Sequence, residues 1–397
     1  MRRYSELMGR ALGFLFLLWS LWFLNFTTRI IFSPILPLIE DEFMVTHAGA
    51  SSIFMFQSIG YAAGIILSGF YSGKVGFKRS ILFSFIILSC VCFSAAFVKA
   101  FSIFYLILFF VGFSGGIYLP AMMPLIREHF VERNWGRTIS IYDSAGPFSI
   151  FTVPFIVVLL LNYFRWRGIF CLLGIALLVI ALLFSLKGEE LKIDQPRKTV
   201  FKGLITKRSF WVMTAMTSFA MGANLGIYYI LPLYLTKQLF LSIGYANTLL
   251  GISRLGGVAV AIFCGFLVDR FNLRKIIFSM MIISGIFTIL LGMASPAVIG
   301  IILFLQAVFI SAIPPLLWVC MARLFDRETV SMAIGFMAPL SFLFGTGLIP
   351  YLLGLSGDFV GFGFGIMILG VLLTLASCLA LSLRDLEGGL IQEGTSL

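Results

Sequence analysis

The sequence predicts an all-α polytopic membrane protein with twelve transmembrane helices in two pseudo-symmetric six-helix halves. Three observations predict it. The 397 residues are 60% apolar and only 11% charged, with a mean hydropathy of +1.07, a composition outside the range of water-soluble globules. At about 20 residues per span, the apolar runs divide the chain into roughly a dozen helices and leave nothing over for a soluble domain. A charged hairpin also occurs twice, 196 positions apart, about half the chain: Gly69-Phe-Tyr-Ser-Gly73-Lys74-Val-Gly76-Phe-Lys78-Arg79 and Gly265-Phe-Leu-Val-Asp269-Arg270-Phe-Asn272-Leu-Arg274-Lys275.

The first helix is expected from about Arg10 to Leu38, ended by the acidic external turn Glu40-Asp41-Glu42. Its basic flank resembles a signal peptide, but the run continues past Asn25 and Arg29 with no small-residue cleavage pattern, so it reads as a retained helix. The second helix is expected from Ala48 to Tyr71, then the first hairpin, a third helix to Val98 and a fourth from Phe101 to Ile126. A loop from Arg127 to Gly136 leads to a fifth helix ending near Tyr163, and the turn Arg165-Trp166-Arg167 to a sixth ending near Leu186. Residues 1–186 thus form an N-terminal half, 187–208 a polar linker around Pro196, 209–384 a C-terminal half and 385–397 a tail. In the second half, turns are expected near Lys237 to Gly244, at the second hairpin, at Ser295-Pro296, from Arg323 to Thr329 and at Ser356-Gly357-Asp358. The repeat is deeper than one loop, since Gly60 matches Gly256, Arg127 matches Arg323 and Pro154 matches Pro350 at the same offset.

A formal charge of +11 and a pI near 9.5 raise the question of nucleic acid, but the basic residues sit in short loops at helix ends. Of the 28 Lys and Arg, 22 lie on the side of the N-terminus and the even-numbered turns, four lie opposite (Lys99, Arg165, Arg167, Lys237), and two lie inside apolar runs. This asymmetry places both termini in the cytoplasm of a cell whose plasma, or bacterial inner, membrane holds the protein. It also argues against a nucleic-acid partner.

A glycine closing an apolar helix, a short charged turn and a basic pair opening the next helix make a tight cytoplasmic hairpin. The hairpin resembles the loop motif of the major facilitator superfamily of transporters, in outline Gly-x-x-x-Asp-Arg-x-Gly-Arg-Lys. The second copy keeps Gly265, Asp269, Arg270, Arg274 and Lys275 but has Asn272 where the pattern has glycine; the first keeps Gly69, Lys74, Gly76, Lys78 and Arg79 but has Gly73 in place of the acid. The resemblance implies two parallel six-helix halves with a substrate site near the bilayer midplane and transport by alternating access. It also implies that these residues, with Arg127 and Arg323, serve as gate and scaffold. The missing acid at Gly73 implies a weaker latch on that side.

Positions matched across the halves read as scaffold, so unmatched polar groups are the candidates for substrate chemistry. Arg29 lies 11 residues before Glu40, roughly 16 Å inside the membrane, and Arg254 lies 15 residues before Asp269, roughly 22 Å in. Their repeat equivalents are Leu225 and Ser58. An arginine at that depth costs at least a few kcal/mol unless it meets a wet cavity or a counter-charge, and Asp143 is the only acid within an apolar run. Two cations facing one acid leave a surplus that an anionic substrate could neutralise, with guanidinium matching a carboxylate fork. Hydrogen bonds to backbone carbonyls beside a kink are the plainer alternative. Some organic-anion branches of the superfamily are similar, with an arginine in the first or eighth helix meeting the substrate carboxylate.

Asp143, six residues after Arg137, could exchange a coupled proton, because loss of water disfavours a charged carboxylate, or could form a gate ion pair near Arg137 or Arg127. Asn25 is one turn from Arg29; Gln57 with Tyr61, Asn224 with Tyr228, and Gln306 complete the candidate substrate-binding groups. Each could equally be an interhelical hydrogen bond.

Gly112-Phe-Ser114-Gly-Gly116 satisfies a Gly-x-Ser-x-Gly pattern, but the only histidines, His47 and His129, are expected in loops, so the two outer glycines read better as a helix-packing face. The six cysteines all lie in apolar runs and read as buried small hydrophobes rather than disulfides or metal ligands. No cofactor motif is present. The expected function is secondary transport of a small organic anion, a mono- or dicarboxylate, clamped by Arg29 and Arg254, proton-coupled or by exchange, in a monomer embedded in lipid and without enzymatic activity. Efflux of amphipathic drugs is the alternative, with a non-transporting receptor more remote.

Overall fold

The structure, a computed structural model, describes residues 4, 8–188, 190, 201–257, 260, 270–325 and 327–383. Its segments in chain order are α1 (Arg10–Phe43), α2 (His47–Val75), α3 (Phe77–Phe97), α4 (Ile103–His129), α5 (Glu132–Leu161), α6 (Trp166–Lys187) and α7 (Arg208–Gln238). There follow α8 (Ile243–Ser253), α9 (Leu273–Met293), α10 (Ile299–Leu324), α11 (Arg327–Phe342, Leu343–Leu348 and Ile349–Phe359) and α12 (Phe362–Leu381). Among the described residues eleven segments are long and apolar enough to cross a membrane; α8, of eleven residues, is shorter. The β structure among the described residues is one isolated bridge, Tyr4 to Phe130.

Two compact units result, Met1–Val45 with Ile53–Arg197, and Thr46–Ser52 with Lys198–Leu397. Within the first, α3 packs along α4 and α6; within the second, α9 packs along α12, the pair equivalent to α3 and α6 in the repeat. A short helix, Phe201–Ile205, lies in the linker expected at 187–208.

The first hairpin is tighter than expected. Helix α2 runs through Gly69, Gly73 and Lys74 to Val75, and the turn is Gly76 alone, at φ +102°. A glycine inside a helix costs only about 1 kcal/mol, which a long span absorbs; a positive φ of this size is open to glycine and strained for other residues. Lys78 and Arg79 then open α3, and Arg79 forms an ion pair with Glu190 at 3.6 Å. In the second hairpin Gly265 and Asp269 lie outside the described residues. Asn272 accepts a hydrogen bond from the Arg274 N–H at 3.0 Å and caps α9. Asparagine at the glycine position thus acts as an N-cap.

Two expected turns are helix instead. Glu40-Asp41-Glu42 belongs to α1, which ends when Met44 turns left-handed at φ 50°. Ser356-Gly357-Asp358 belongs to α11. An acid in the last turn of a helix opposes the macrodipole, but Asp358 accepts from the N–H groups of His47 at 2.8 Å and Ala48 at 2.9 Å, the first donors of a helix start within the same unit. His47 and His129 are accordingly helix-terminal residues rather than loop residues. The described cysteines are free, and Cys90 and Cys378 are exposed, not buried, because α3 and α12 turn those faces outward.

The glycine-packing reading of Gly112 and Gly116 holds. A methyl added at Gly112 would collide with the Gln57 carbonyl and one at Gly116 with the Tyr61 carbonyl, while Gly60 and Gly64 press equally on Phe109 and Phe113. Helices α2 and α4 thus cross backbone to backbone through two small-residue pairs. Ser114, between them, is fully buried and its carbonyl accepts from Ser84 Oγ at 2.9 Å.

Candidate substrate site

In the first unit the site forms along one face of α1. Regular helix gives way at Ile31, where Pro34 has no N–H to offer the Ile30 carbonyl. Arg29, two residues earlier, is 4% exposed. Its guanidinium lies 4.6 Å from the Tyr61 ring centroid and 5.3 Å from that of Phe26. The α2–α4 crossing positions Tyr61, and Gly115 leaves room for the arginine stem, since a Cβ there would stand 3.3 Å from Arg29 Cδ. Cation–π contacts with Phe and Tyr contribute about 0.5–2 kcal/mol.

One turn before Arg29, Asn25 is fully buried, and neither atom of its side-chain amide has a hydrogen-bond partner among the described residues. Trp22 Nε1, three residues further back, is also buried without one. Trp22 stacks on Tyr118 at 5.7 Å, and the Tyr142 hydroxyl donates to Tyr118 at 3.2 Å. Trp22, Asn25, Phe26 and Arg29 have the i, i+3, i+4, i+7 spacing of one helix face. The sequence reading missed Trp22 and Phe26, although that spacing was available as a signal. Gln57 is buried on α2 one turn before Tyr61.

In the second unit the site forms around a π-helical turn, Gly222–Gly226, in α7. The wider turn displaces backbone carbonyls from the α-helical pattern. Arg254 ends the regular part of α8, eleven residues from Ile243 and so about 16 Å along it. Its Nη1 donates to Asn224 Oδ1 at 2.7 Å and its Nη2 to the Asn224 carbonyl at 3.3 Å, while the guanidinium lies 5.1 Å from the Tyr228 ring centroid. The residue is 7% exposed, and its Nε has no partner among the described residues. Among the described residues no carboxylate reaches it. Backbone-carbonyl bonding and a candidate anion site are therefore both present at Arg254. Gln306 is committed largely to packing, donating to the Ala223 carbonyl at 2.9 Å and to Thr288 Oγ1 at 3.3 Å, with Oε1 left without a partner among the described residues.

Asp143 is exposed at the end of a helical stretch that breaks at Ser144, where Pro147 cannot donate to the Asp143 carbonyl. It forms no ion pair with Arg137 or Arg127 among the described residues, so the gate-pair alternative is not realised in this conformation. Arg127 lies over the Trp135 ring at 5.6 Å, and Arg323 is exposed in the last turn of α10. Among the described residues no group of His, Cys, Asp and Glu is placed to hold a metal.

The family model of the Major Facilitator Superfamily matches residues 18–350 and 226–390. The chain belongs to the major facilitator superfamily. It is therefore an integral membrane protein of a transporter family. The uncharacterized transporter YybO of Bacillus subtilis (strain 168) is 25% identical over 383 residues, covering 85% of this chain and 86% of that protein. A second protein of that strain, provisionally named niacin/nicotinamide transporter NiaP, is 26% identical over 182 residues, 46% of this chain and 44% of its own length. Among solved structures, a bacterial homolog of the human lysosomal transporter Spinster, inward-facing and unoccupied, superposes with TM-score 0.80 at 15% identity, covering 94% of this chain and 97% of that one. The D-xylose-proton symporter gives 0.75 at 14% identity, with the same coverages. At those identities the structures establish the superfamily fold and nothing about cargo.

Proposed function

We propose that this transporter moves a small organic anion, a mono- or dicarboxylate, by alternating access, from a bacterial inner membrane in which both termini face the cytoplasm. The observation that carries the reading is Arg254: a residue 7% exposed whose guanidinium is held by a neutral amide and a carbonyl, with Nε unpartnered and no carboxylate in reach among the described residues. A buried cation without a counter-charge is costly, and a carboxylate offers it two acceptors in one plane. In the first unit Arg29 is a second buried cation, and Asn25, buried and without a hydrogen-bond partner among the described residues, offers an amide to an anion bound beside it. The name of the partial relative NiaP pairs niacin, a pyridine carboxylate that accords with this class, with its neutral amide, nicotinamide. Asp143, exposed and without an ion pair among the described residues, is the group proposed to couple a proton.

The test is uptake by purified protein in proteoliposomes, across a panel of carboxylates, inorganic anions and cationic dyes, with and without a pH gradient. Saturable uptake of a carboxylate, competed by other carboxylates, is expected. Saturable transport of the dyes with no response to any anion would replace this reading with drug efflux.

A further inference from the structure

We infer that the second unit carries a binding groove for one acyl chain of an anionic phospholipid, formed by α7, α11 and α12. The groove has a volume of about 690 Å³, within the range of small-ligand pockets. Its walls include Trp211, Phe344, Leu352, Phe359, Ile368 and Leu372, all at least 40% exposed.

The chemistry of the walls selects hydrocarbon. Three hydroxyls border the groove, and each donates to a nearby carbonyl: Thr214 to Phe210 at 2.8 Å, Ser218 to Thr214 at 2.7 Å and Ser356 to Gly361 at 2.8 Å. A polar cargo would lose its hydration there and gain little in return. The three helices are membrane-spanning segments, so an open apolar trough on them faces lipid chains rather than water. Along α11 it extends from Phe344 to Phe359, about 22 Å of helix.

Charge distinguishes its two ends. Lys207 and Arg208 open α7, and Arg208 is one turn before Trp211 on the same face. Both are exposed, with Lys207 Nζ 5.9 Å from the Phe325 ring centroid. Trp211 donates its Nε1 to the Ile205 carbonyl at 2.8 Å, which fixes the ring at the mouth, where amphipathic aromatics sit at the headgroup level. At the other end the acid Asp358 is already engaged by two backbone N–H groups. A lipid phosphate thus finds cations at the Trp211 end, and its chain finds the trough beyond.

The experiment uses the full chain in nanodiscs of palmitoyl-oleoyl phosphatidylglycerol or phosphatidylcholine, with phospholipid retained after detergent extraction counted by native mass spectrometry. Retention of phosphatidylglycerol over phosphatidylcholine is expected. Lys207→Gln and Arg208→Gln should each reduce that preference about fivefold. These exposed substitutions leave the helix interior intact. Leu352→Trp with Ile368→Trp, which fills the trough, should abolish retention of either lipid. Equal retention of the two lipids, unchanged retention in the filled-trough variant, or displacement of lipid by ethidium with loss of ethidium transport in that variant would each overturn the inference. Anion uptake is measured separately, so either proposal can fail without the other.

Discussion

Arg254 Nη1 donates to Asn224 Oδ1 at 2.7 Å, from the end of regular α8 to a π-helical turn of α7. A side-chain amide is a weaker partner for guanidinium than a carboxylate, because it offers one neutral oxygen where a carboxylate offers two charged oxygens in the plane of the fork. The contact holds Arg254 in place, and under the proposed function an anionic acceptor would replace the neutral one.

Replacing Arg254 by glutamine should raise the KM for the transported anion about 10- to 100-fold, the loss of one charge-assisted contact. Arg254→Lys should recover only part of it, because lysine keeps the charge without the planar fork. Uptake kinetics in proteoliposomes measure both. Unaltered saturable uptake by both variants would remove Arg254 from the site.

Asn25→Leu asks what the buried amide does. If Asn25 is structural, leucine should be neutral or stabilising, because it removes two unbonded buried atoms. If it binds substrate, KM should rise about tenfold while the thermal midpoint stays level or increases. The KM separates the two roles, and an unchanged KM, whatever the thermal midpoint does, is the result that counts against the site.

Asp143→Asn should abolish net uptake driven by a pH gradient while substrate exchange continues, since exchange needs no net proton movement. Intact gradient-driven uptake would assign coupling to another group.

Gly112→Ala should destabilise the first unit by about 1–3 kcal/mol, because the added methyl meets the Gln57 carbonyl, which belongs to backbone and cannot rotate away. The shift should show in the thermal midpoint of the detergent-solubilised protein. The crossing also positions Tyr61 beneath Arg29, so the anion KM is expected to rise with it.

Asp358→Ala should cost about 1 kcal/mol, the usual value of a helix cap, through the two N–H groups of His47 and Ala48. Hydrogen exchange at those two amides should accelerate, and Asp358→Asn should restore part of the protection. Unchanged exchange in both variants would show that the cap is not held in the membrane.

Much of the architecture was legible in the sequence. Hydropathy alone marks a membrane chain, because a span must satisfy its backbone within itself and bury about 20 apolar residues. Arg29 and Arg254 stood out because a charge in an apolar run is rare, and the repeat showed that neither has a counterpart. The glycine pair Gly112 and Gly116 was readable because its spacing matches a helix face. Boundaries were less legible: Gly69, Gly73 and Ser356-Gly357-Asp358 look like turns by composition, yet long spans carry helix through them at small cost.

By itself the sequence determined the membrane class, the doubled set of spans, the residues that break them and the two intramembrane cations, all consequences of local composition and periodicity. Only the tertiary structure decided which groups meet. The π-turn at Gly222–Gly226 delivers Asn224 to Arg254, Gln306 is used on the Ala223 carbonyl, and among the described residues Asn25 is buried without a hydrogen bond and Asp143 is exposed without an ion pair to Arg137 or Arg127. Hydrogen bonds and ion pairs form over a few ångströms between residues tens of positions apart, and helix packing sets those distances where sequence spacing does not.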